Sequence, residues 1–339
     1  MNKSELIDLL NNKEGASDVS ENRRVLLLDG LNLFFRNFAV LNMVNPDGVH
    51  IGGLGGFFRS LGAMIKKTNP TEVYVIFDGV NSTISRKNLI PEYKSGRNLQ
   101  RITHWEAFEN LEQEDDSKID QLVRIIQYLK TLPITTLSLD KSEADDIIAY
   151  LSEILPKEDN DQVFIVSSDK DFLQLVSDNV VVYRPIEKKY YTKQVFKEKF
   201  QIPPENFILY KTLLGDSSDK IKGVKGLGEK GLLKKFPELK EKVLTFDDIL
   251  DICEKKYKDH LVYARVIQRV SDLEKNYKVM DLSNPMIGQE DKEYLNKLVI
   301  SKELNYLPKQ FIELYEQDKL GGMIRNLEYW LDENFKNLK

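Results

Sequence analysis

Unbroken apolar runs that each end in an acidic residue recur along this chain. The runs cover residues 24–30, 73–79 and 163–169, and helical segments separate them. An apolar run without polar alternation is typical of a strand buried on both faces, as in a parallel sheet. The alternation with helices therefore predicts an α/β fold with a mainly parallel central sheet flanked by helices.

The acids that close these runs are expected to lie close together. Asp29 and Asp78 each end a strand and precede a glycine, and Asp169 and Asp171 follow the third strand. Open parallel sheets place their sites along the carboxyl ends of the strands. A single Asp-Gly after a strand usually marks a turn. Three strands that end in acids favour a shared functional edge.

A further acidic group lies between the second and third runs, at Glu143, Asp145 and Asp146. These residues are predicted to open a helix that ends near Leu155, where acids are favourable and Ser142 can cap the helix. A spacing of three places Glu143 and Asp146 on one face, whereas Asp145 is expected to point elsewhere. Crowded carboxylates repel, and no arginine or histidine stands beside them in sequence, so a divalent cation with oxygen ligands is predicted.

Two segments depart from the strand and helix pattern. Residues 52–62 are glycine-rich and predict either a helix start that a phosphate can approach or a flexible loop. Residues 82–120 begin basic and end acidic, and this insertion after Asp78 is expected to overhang the site. Basic side chains around Tyr93 suit the phosphates and bases of a single strand, with a solvated pair of charged helices as the alternative. The basic residues are Arg86, Lys87, Lys94, Arg97 and Arg101.

Residues 213–231 combine acids, glycines and lysines. Asp216 and Asp219 add two carboxylates, and Gly223, Gly226 and Gly228 predict a hairpin between short helices. Residues 220–242 hold eight lysines against three glutamates, which is typical of a phosphate-binding surface. Outward-facing amides in such a hairpin can bind a duplex backbone without reading its sequence.

Composition excludes several other classes of protein. The 339 residues carry a net charge of −5, one cysteine and three histidines, so zinc sites of the Cys/His kind and His-based triads are not expected. No run has the roughly 18 apolar residues of a membrane span, and the polar amino terminus lacks a signal-peptide core. These features predict a cytoplasmic protein without a membrane role. The expected domains are a polar tail (1–22), an α/β core (23–212) with the insertion at about 82–120, a helical hairpin domain (213–282) and C-terminal helices that pack on the core (283–339).

Taken together and in order, these motifs resemble the 5′ nuclease family of flap endonucleases and 5′ to 3′ exonucleases, most closely its bacteriophage-type members. The resemblance covers about residues 24–236. It rests on Leu28-Asp29-Gly30, Phe77-Asp78-Gly79, the segments 91–97, 143–146 and 168–171, and the segments 215–219 and 223–228.

This resemblance implies the PIN-like 5′ nuclease fold and a two-metal phosphodiesterase that removes RNA primers or 5′ flaps during replication. The implied cofactor is Mg²⁺ at two sites, with Mn²⁺ as a substitute. Asp29, Asp78, Glu143, Asp145 and Asp146 resemble the ligands of the first ion, with Asp146 also among the catalytic residues. Asp169, Asp171, Asp216 and Asp219 resemble the ligands of the second.

The resemblance also implies how DNA is held. Segment 82–120 would form a helical arch over the 5′ strand, with Lys94 and Arg97 reaching the scissile phosphate, Tyr93 stacking on a base, and Arg86 and Lys87 adding charge. Residues 215–236 resemble a helix-hairpin-helix module that binds the duplex, often with a potassium ion on the turn's carbonyls. Its expected DNA contacts are Gly223, Lys225, Gly226, Gly228 and Lys230.

The implied partners are branched or nicked duplex DNA with a 5′ single strand and RNA–DNA hybrids. Single-stranded DNA-binding protein or a sliding clamp are implied replication partners, and the protein is expected to be a monomer, in the host cytoplasm if a phage encodes it. Two rival functions stay open. One is a metal-dependent ribonuclease of the PIN type, and the other is a non-catalytic binder of branched DNA, which predicts the loss of ligand carboxylates.

Overall fold

The structure of the protein, a computed structural model, describes residues 22–95, 102–301 and 303–339. Almost all of the expected polar tail therefore lies outside the described residues. A six-stranded sheet forms the centre, in the order β3-β2-β1-β4-β5-β6. Its strands are β1 (Arg24–Asp29), β2 (Glu72–Ile76), β3 (Thr135–Leu137), β4 (Gln162–Val166), β5 (Val180–Arg184) and β6 (Lys189–Tyr191).

Five of these strands run parallel, and only β6 pairs in the antiparallel direction, with β5. The strand β1 lies in the middle, where Leu28 pairs with Val75 of β2 and Val166 of β4. The register places the carboxyl ends of β1, β2 and β4 side by side. The predicted mainly parallel sheet is confirmed.

Helices surround this sheet and continue beyond it. A second, two-stranded antiparallel sheet joins β7 (Gly215–Asp216) to β8 (Ile221–Lys222). In the described part of the chain, no helix is long and apolar enough to span a membrane. The α-helices are α1 (Gly30–Val40), α2 (Gly52–Thr68), α3 (Ile84–Leu89), α4 (Leu111–Leu129), α5 (Ala144–Ile154), α6 (Lys193–Phe200), α7 (Phe207–Leu214), α8 (Glu229–Lys235), α9 (Glu238–Glu241), α10 (Phe246–Lys256), α11 (Leu261–Gln268), α12 (Val270–Met280), α13 (Gln289–Ile300), α14 (Pro308–Gln317) and α15 (Leu327–Phe335).

Both faces of the sheet are covered by apolar side chains. Alternate residues of β1 divide between them, because successive side chains of a strand point to opposite faces. Val25 and Leu27 join the core formed with α5, α7 and the helical region after residue 213. Leu26 and Leu28 join the core formed with α1, α2, α4 and the C-terminal helices. This two-sided burial explains why the strand sequences are continuous apolar runs.

The glycine-rich segment 52–62 is part of the long helix α2 rather than a loop. Its glycines allow close packing on several sides. A Cβ atom on Gly62 would stand 2.5 Å from Nε1 of Trp330, which α15 presents to α2. The small residues in α2 therefore let the C-terminal helices lie directly on the core.

Candidate active site

Four carboxylates meet at the carboxyl ends of the central strands, and we call them the acidic edge: Asp29, Asp78, Asp145 and Asp169. Burial, together with the charges of Asp78 and Asp169, raises the pKa of Asp29 to about 7. Burial also raises the pKa of Asp145 well above its usual value, with added repulsion from Asp169 and Asp29. The strand register brings Asp29 beside the carboxyl ends of β2 and β4, where these like charges repel one another.

Backbone amides hold the acidic edge in place. Asp29 caps helix α1, and its Oδ1 accepts a hydrogen bond from the amide of Asn32 at 2.9 Å. Asp78 Oδ1 accepts one from the amide of Ala144 at 2.7 Å, which ties the chain after β2 to the start of α5. Asp169 Oδ1 accepts one from the amide of Asp171 at 2.8 Å. Each acid is therefore positioned by the turn or helix that follows a strand.

The start of α5 corrects one sequence-based expectation. Glu143 rather than Ser142 occupies the cap position, and its own side chain makes no capping hydrogen bond. The first amide of α5, that of Ala144, donates to Asp78 instead. Glu143 and Asp146 do share a face, but that face meets Arg86, with Nη1 at 2.9 Å and 2.5 Å from their oxygens. Asp145 points away from that shared face, and it is the member of this group that belongs to the acidic edge.

Arg86 was expected at the DNA surface, and its burial contradicts that expectation. Its residue exposure is 3%. Its guanidinium donates to both carboxylate oxygens of Asp146, and Nε donates to the carbonyl of Val279 at 2.9 Å. Burial alone would lower the pKa of Arg86, but the charges of Asp146 and Glu143 raise it above its usual value. Arg86 thus neutralises the inner side of the acidic cluster and fixes α3 to α5 and α12.

Tyr93 is likewise buried, and both Tyr93 and Lys94 contact the carboxylate of Glu143. The hydroxyl of Tyr93 donates to Glu143 Oε2 at 3.0 Å, so in this structure the ring does not present the expected stacking face. Lys94 Nζ lies 2.7 Å from Glu143 Oε1, and its side chain keeps 15% exposure. Lys87 is exposed on α3, and Arg97 and Arg101 lie outside the described residues.

Lys211 is a site residue that sequence reasoning missed. Its Nζ stands 2.5 Å from both Asp171 Oδ1 and Asp216 Oδ2. Burial lowers the pKa of Lys211, but both carboxylates raise it above its usual value. Although burial opposes the shift, Lys211 lowers the pKa of Asp216 to about 2. Burial and the charge of Asp169 raise the pKa of Asp171 to about 6, although Lys211 lowers it. The sequence feature that could have identified Lys211 is a lone lysine within the apolar helix α7, five residues before Asp216.

The oxygen donors suit a hard divalent cation, but they are arranged here as ion pairs. Within the described ranges, no three Asp, Glu, His or Cys side chains already surround a common point as ligands. Three cations, Arg86, Lys94 and Lys211, hold the carboxylates of Glu143, Asp146, Asp171 and Asp216. A divalent cation at the acidic edge would relieve the mutual repulsion of the carboxylates there.

The glycine hairpin is built differently from two helices joined by a turn. Strands β7 and β8 separate α7 from a turn that covers residues 222–228, which we call the duplex turn. Glycine is favoured at position 226, because the backbone φ of +84° is unfavourable for a residue with a side chain. Gly223 packs against the backbone of Leu214 and is only half-exposed, whereas Lys225, Gly226, Gly228 and Lys230 are exposed. Asp219 is buried near Tyr93.

The sequence of this chain is similar to those of known proteins. The family model described as the 5′-3′ exonuclease N-terminal resolvase-like domain matches residues 24–201. The 5′-3′ exonuclease of Aquifex aeolicus is 31% identical over 86% of this chain and 92% of its own length. DNA polymerase I of Bacillus subtilis is 32% identical over 72% of this chain, which spans only 26% of that polymerase.

Solved structures support the same fold. The T5 D15 protein co-crystallised with metal ions superposes with a TM-score of 0.60 at 22% identity, over 87% of this chain and 100% of that one. A complex of the T5 D15 flap endonuclease with DNA and metal ions gives a TM-score of 0.62 at 21% identity, over 88% and 100% of the two chains. At these identities the likeness shows the shared fold.

Proposed function

The chain belongs to the 5′-3′ exonuclease family, and from this premise we propose that it is a divalent-metal-dependent 5′ nuclease. It hydrolyses phosphodiester bonds near the 5′ ends of DNA or RNA primers, as a 5′ to 3′ exonuclease and a flap endonuclease. The observation that carries the proposal is the acidic edge, where Asp29 and Asp145 are held in mutual repulsion beside Asp78 and Asp169. Perturbed carboxylates grouped at strand ends are typical of a catalytic centre.

We assign the metal ligands in two groups. Asp29, Asp78 and Asp145 would hold the first ion, with Glu143 and Asp146 reaching it only after release from Arg86. Asp169, Asp171 and Asp216 would hold the second, with Asp219 next to Tyr93 in a supporting place. Bound Mg²⁺, or Mn²⁺ in its place, lowers the pKa of a water and stabilises developing charge on phosphate oxygens. The carboxylates fit because oxygen donors are the ligands these ions prefer.

Positive side chains around the acidic edge would orient the nucleic acid. Lys94 borders the acidic edge and keeps part of its side chain exposed, which suits contact with the scissile phosphate. Lys225 and Lys230 are exposed at the duplex turn and would contact phosphates of the double-stranded part. Arg97 and Lys87 are proposed as further contacts of the 5′ strand. Tyr93 would stack on a base only after leaving Glu143.

The remaining assignments rest on the family resemblance. We propose a monomer in the cytoplasm that acts on branched or nicked DNA and on RNA–DNA hybrids during replication. Single-stranded DNA-binding protein or a sliding clamp are its proposed partners. The proposed domains are an α/β nuclease core (23–212) with an arch at 82–120, a duplex-binding region (213–282) and C-terminal helices (283–339). The contact of α15 with α2 and the ring contact of Phe311 in α14 with Phe58 in α2 support the last of these.

Two rival functions make different predictions. A non-catalytic binder of branched DNA would be expected to lack ligand carboxylates, whereas all nine expected acids are present in the sequence. A PIN-type ribonuclease would share the acidic sheet edge but would not need the lysine-rich duplex turn. The retained acids and the exposed lysines at that turn therefore favour the 5′ nuclease.

Cleavage of a 5′-labelled flap duplex and of a plain single strand tests the proposal. We expect release near the flap junction with Mg²⁺ and none with EDTA. Short 5′ products would assign the activity chiefly to an exonuclease. Tight flap binding without any cleavage would reject the nuclease and favour the non-catalytic binder. Cleavage confined to single-stranded RNA would favour the PIN-type ribonuclease.

A further inference from the structure

Two arginines reach into the duplex turn and hold its carbonyls. Arg265 lies on α11, and its Nη1 donates to the carbonyl of Lys225 at 2.7 Å. Arg269, at the junction of α11 and α12, donates through Nη1 to the carbonyl of Gly223 at 2.6 Å. Its Nη2 lies 3.3 Å from the carbonyl of Lys222. We call this pair the arginine clamp.

The turn's carbonyls fit poorly to the potassium ion that the family resemblance implies. The carbonyl of Lys222 also accepts from Asn276 Nδ2 at 3.0 Å, and that of Val224 accepts from the amide of Leu227 at 3.0 Å. Four successive carbonyls, at residues 222–225, therefore already have donors in the protein. A cation placed among them would compete with these donors, and it would stand close to two permanently charged guanidinium groups.

The fit of the clamp is close. A Cβ atom on Gly226 would stand 2.8 Å from Arg265 Nη1, so the guanidinium fills the space beside the turn. Arg269 is further oriented by Asp272, whose carboxylate lies 3.2 Å from its Nε. Buried apolar residues of α11 and α12, such as Val266 and Leu273, anchor the helices that carry these side chains.

We propose that the arginine clamp takes the place of a bound potassium ion at the duplex turn. The guanidinium groups tie the carbonyls inward, so that the turn keeps one shape and its exposed side faces the phosphates of a duplex. Arg265 and Arg269 are positioning residues, because they act through the turn. Duplex binding by this chain is consequently independent of the monovalent cation supplied. The inference rests on the proposed function, since it concerns the duplex that the nuclease binds.

Flap-duplex affinity in matched salts tests this inference. Binding is measured by fluorescence anisotropy with Ca²⁺ in place of Mg²⁺, in potassium, sodium or choline chloride at one ionic strength, because phosphate contacts depend on salt concentration. We expect the dissociation constant of the wild-type protein to change by less than about twofold when choline replaces potassium. A severalfold loss of affinity in choline would overturn the clamp.

The double variant Arg265→Gln/Arg269→Gln gives a readout that loss of structure would not produce. We expect affinity to fall about tenfold, as charged hydrogen bonds of this kind are removed. We also expect the variant to recover part of that affinity in potassium but not in choline, because its carbonyls have become available to an ion. If the variant binds equally weakly in potassium and in choline, the proposal that the two guanidinium groups take the place of a potassium ion is contradicted.

Lys278→Gln is the matched control, because it removes one positive charge from the exposed side of α12 without touching the turn. It should lower affinity slightly and equally in every salt. Circular dichroism of all variants separates misfolding from a local effect. A single Arg269→Lys variant that keeps potassium-independent binding would support the clamp even if the double variant unfolds. Absence of flap binding by the folded wild-type protein in all three salts would reject the proposed function and the clamp with it, whereas binding that requires potassium rejects the clamp alone.

Discussion

Asp145 and Asp146 are neighbours in sequence but lie in opposite electrostatic environments. Asp145 faces Asp169 and Asp29, and its charge is opposed by theirs. Asp146 is buried against Arg86 and also accepts a hydrogen bond from the amide of Met286 at 2.9 Å. The first residue therefore suits a cation from solution, whereas the second already has a protein cation. Of these two adjacent residues, Asp145 therefore belongs to the acidic edge and Asp146 to a buried ion pair.

Replacing each of the two by asparagine should separate these contributions. Asp146→Asn removes the carboxylate that binds the buried Arg86 through both oxygens and leaves only Glu143 beside that charge, so we expect the free energy of unfolding to fall by about 3 kcal/mol. Asp145→Asn removes one repelling charge and should leave stability unchanged or raised while abolishing cleavage. Urea denaturation in EDTA, together with a flap-cleavage assay, distinguishes the two. A stable, fully active Asp146→Asn protein would contradict the structural assignment of the Arg86 pair.

Lys211 should control how strongly the protein depends on divalent ions for its stability. Lys211→Met leaves Asp171 and Asp216 without their shared cation, so we expect a loss of about 3 kcal/mol in EDTA. Added Mg²⁺ should restore more stability in this variant than in the wild type, because it would no longer compete with an ammonium group. Thermal melting with and without Mg²⁺ measures both effects.

Lys193→Met provides the comparison, because its pair with Asp178 at 2.7 Å is exposed to solvent. Exposed pairs contribute at most about 1 kcal/mol, so this control should melt nearly as the wild type does in both conditions. If Lys211→Met also melts like the wild type in EDTA, the buried bridge does not have the assigned role.

At the scale of elements, the buried strands of the central sheet were the easiest to predict from the sequence. The runs ending at Asp29 and Asp78 stood out because both faces of their strands are buried, which demands continuous apolar residues. The short strand β3 and the pair β7 and β8 carry no such signal, as two or three residues set no periodicity. The contact of α3 with α5 escaped sequence reasoning for another reason. Arg86 lies 60 residues from Asp146, and only the fold brings them together.

Gly62 should report how the C-terminal helix α15 is attached to α2. A leucine at position 62 would collide with Trp330, and overpacking of this kind costs about 1 to 3 kcal/mol. Loss of this contact should shift the tryptophan fluorescence of Gly62→Leu to longer wavelength in a Trp105→Phe background, since Trp105 is itself exposed. Arg59→Ala changes an exposed position of the same helix and should leave the spectrum unchanged. An unchanged spectrum for Gly62→Leu would contradict the packing.

At the scale of the whole molecule, His50 links stability to pH at a distance from the acidic edge. It is 3% exposed, its Nε2 lies 3.0 Å from the carbonyl of Leu41, and its Nδ1 lies 3.1 Å from Gln121 Nε2. Burial lowers the pKa of His50 to about 4, with help from His104, although Glu114 opposes the shift. The folded state therefore holds the neutral ring where the unfolded chain takes up a proton.

The contribution of His50 to the free energy of unfolding should be fully present above pH ~6.5. It should be lost as the pH falls toward 4, by on the order of 3 kcal/mol. Carboxylates with raised pKa values, such as Asp29, act in the opposite direction. The comparison is consequently between the wild type and His50→Gln, which cannot titrate. Urea denaturation at several pH values should show a smaller loss for the variant, and parallel pH profiles would exclude a contribution from His50.

The fold of the whole chain brings together the acidic edge, the three cations Arg86, Lys94 and Lys211, and the lysine-rich duplex turn. The family, the parallel sheet and the set of acids followed from ordered sequence motifs. Their division into a repelling edge and a set of ion pairs did not, because it depends on which side of α5 meets Arg86 and on where α7 places Lys211.

The most direct test of the acidic edge as a catalytic centre is single-turnover flap cleavage by Asp169→Asn with Mg²⁺. We expect the rate to fall by at least about a thousandfold, with flap affinity in Ca²⁺ kept within about threefold, because the carboxylate would hold the metal rather than the duplex. Asp178→Asn changes an exposed acid that pairs with Lys193 at 2.7 Å, and it should cleave as the wild type does. Cleavage by Asp169→Asn at the wild-type rate would place the chemistry elsewhere.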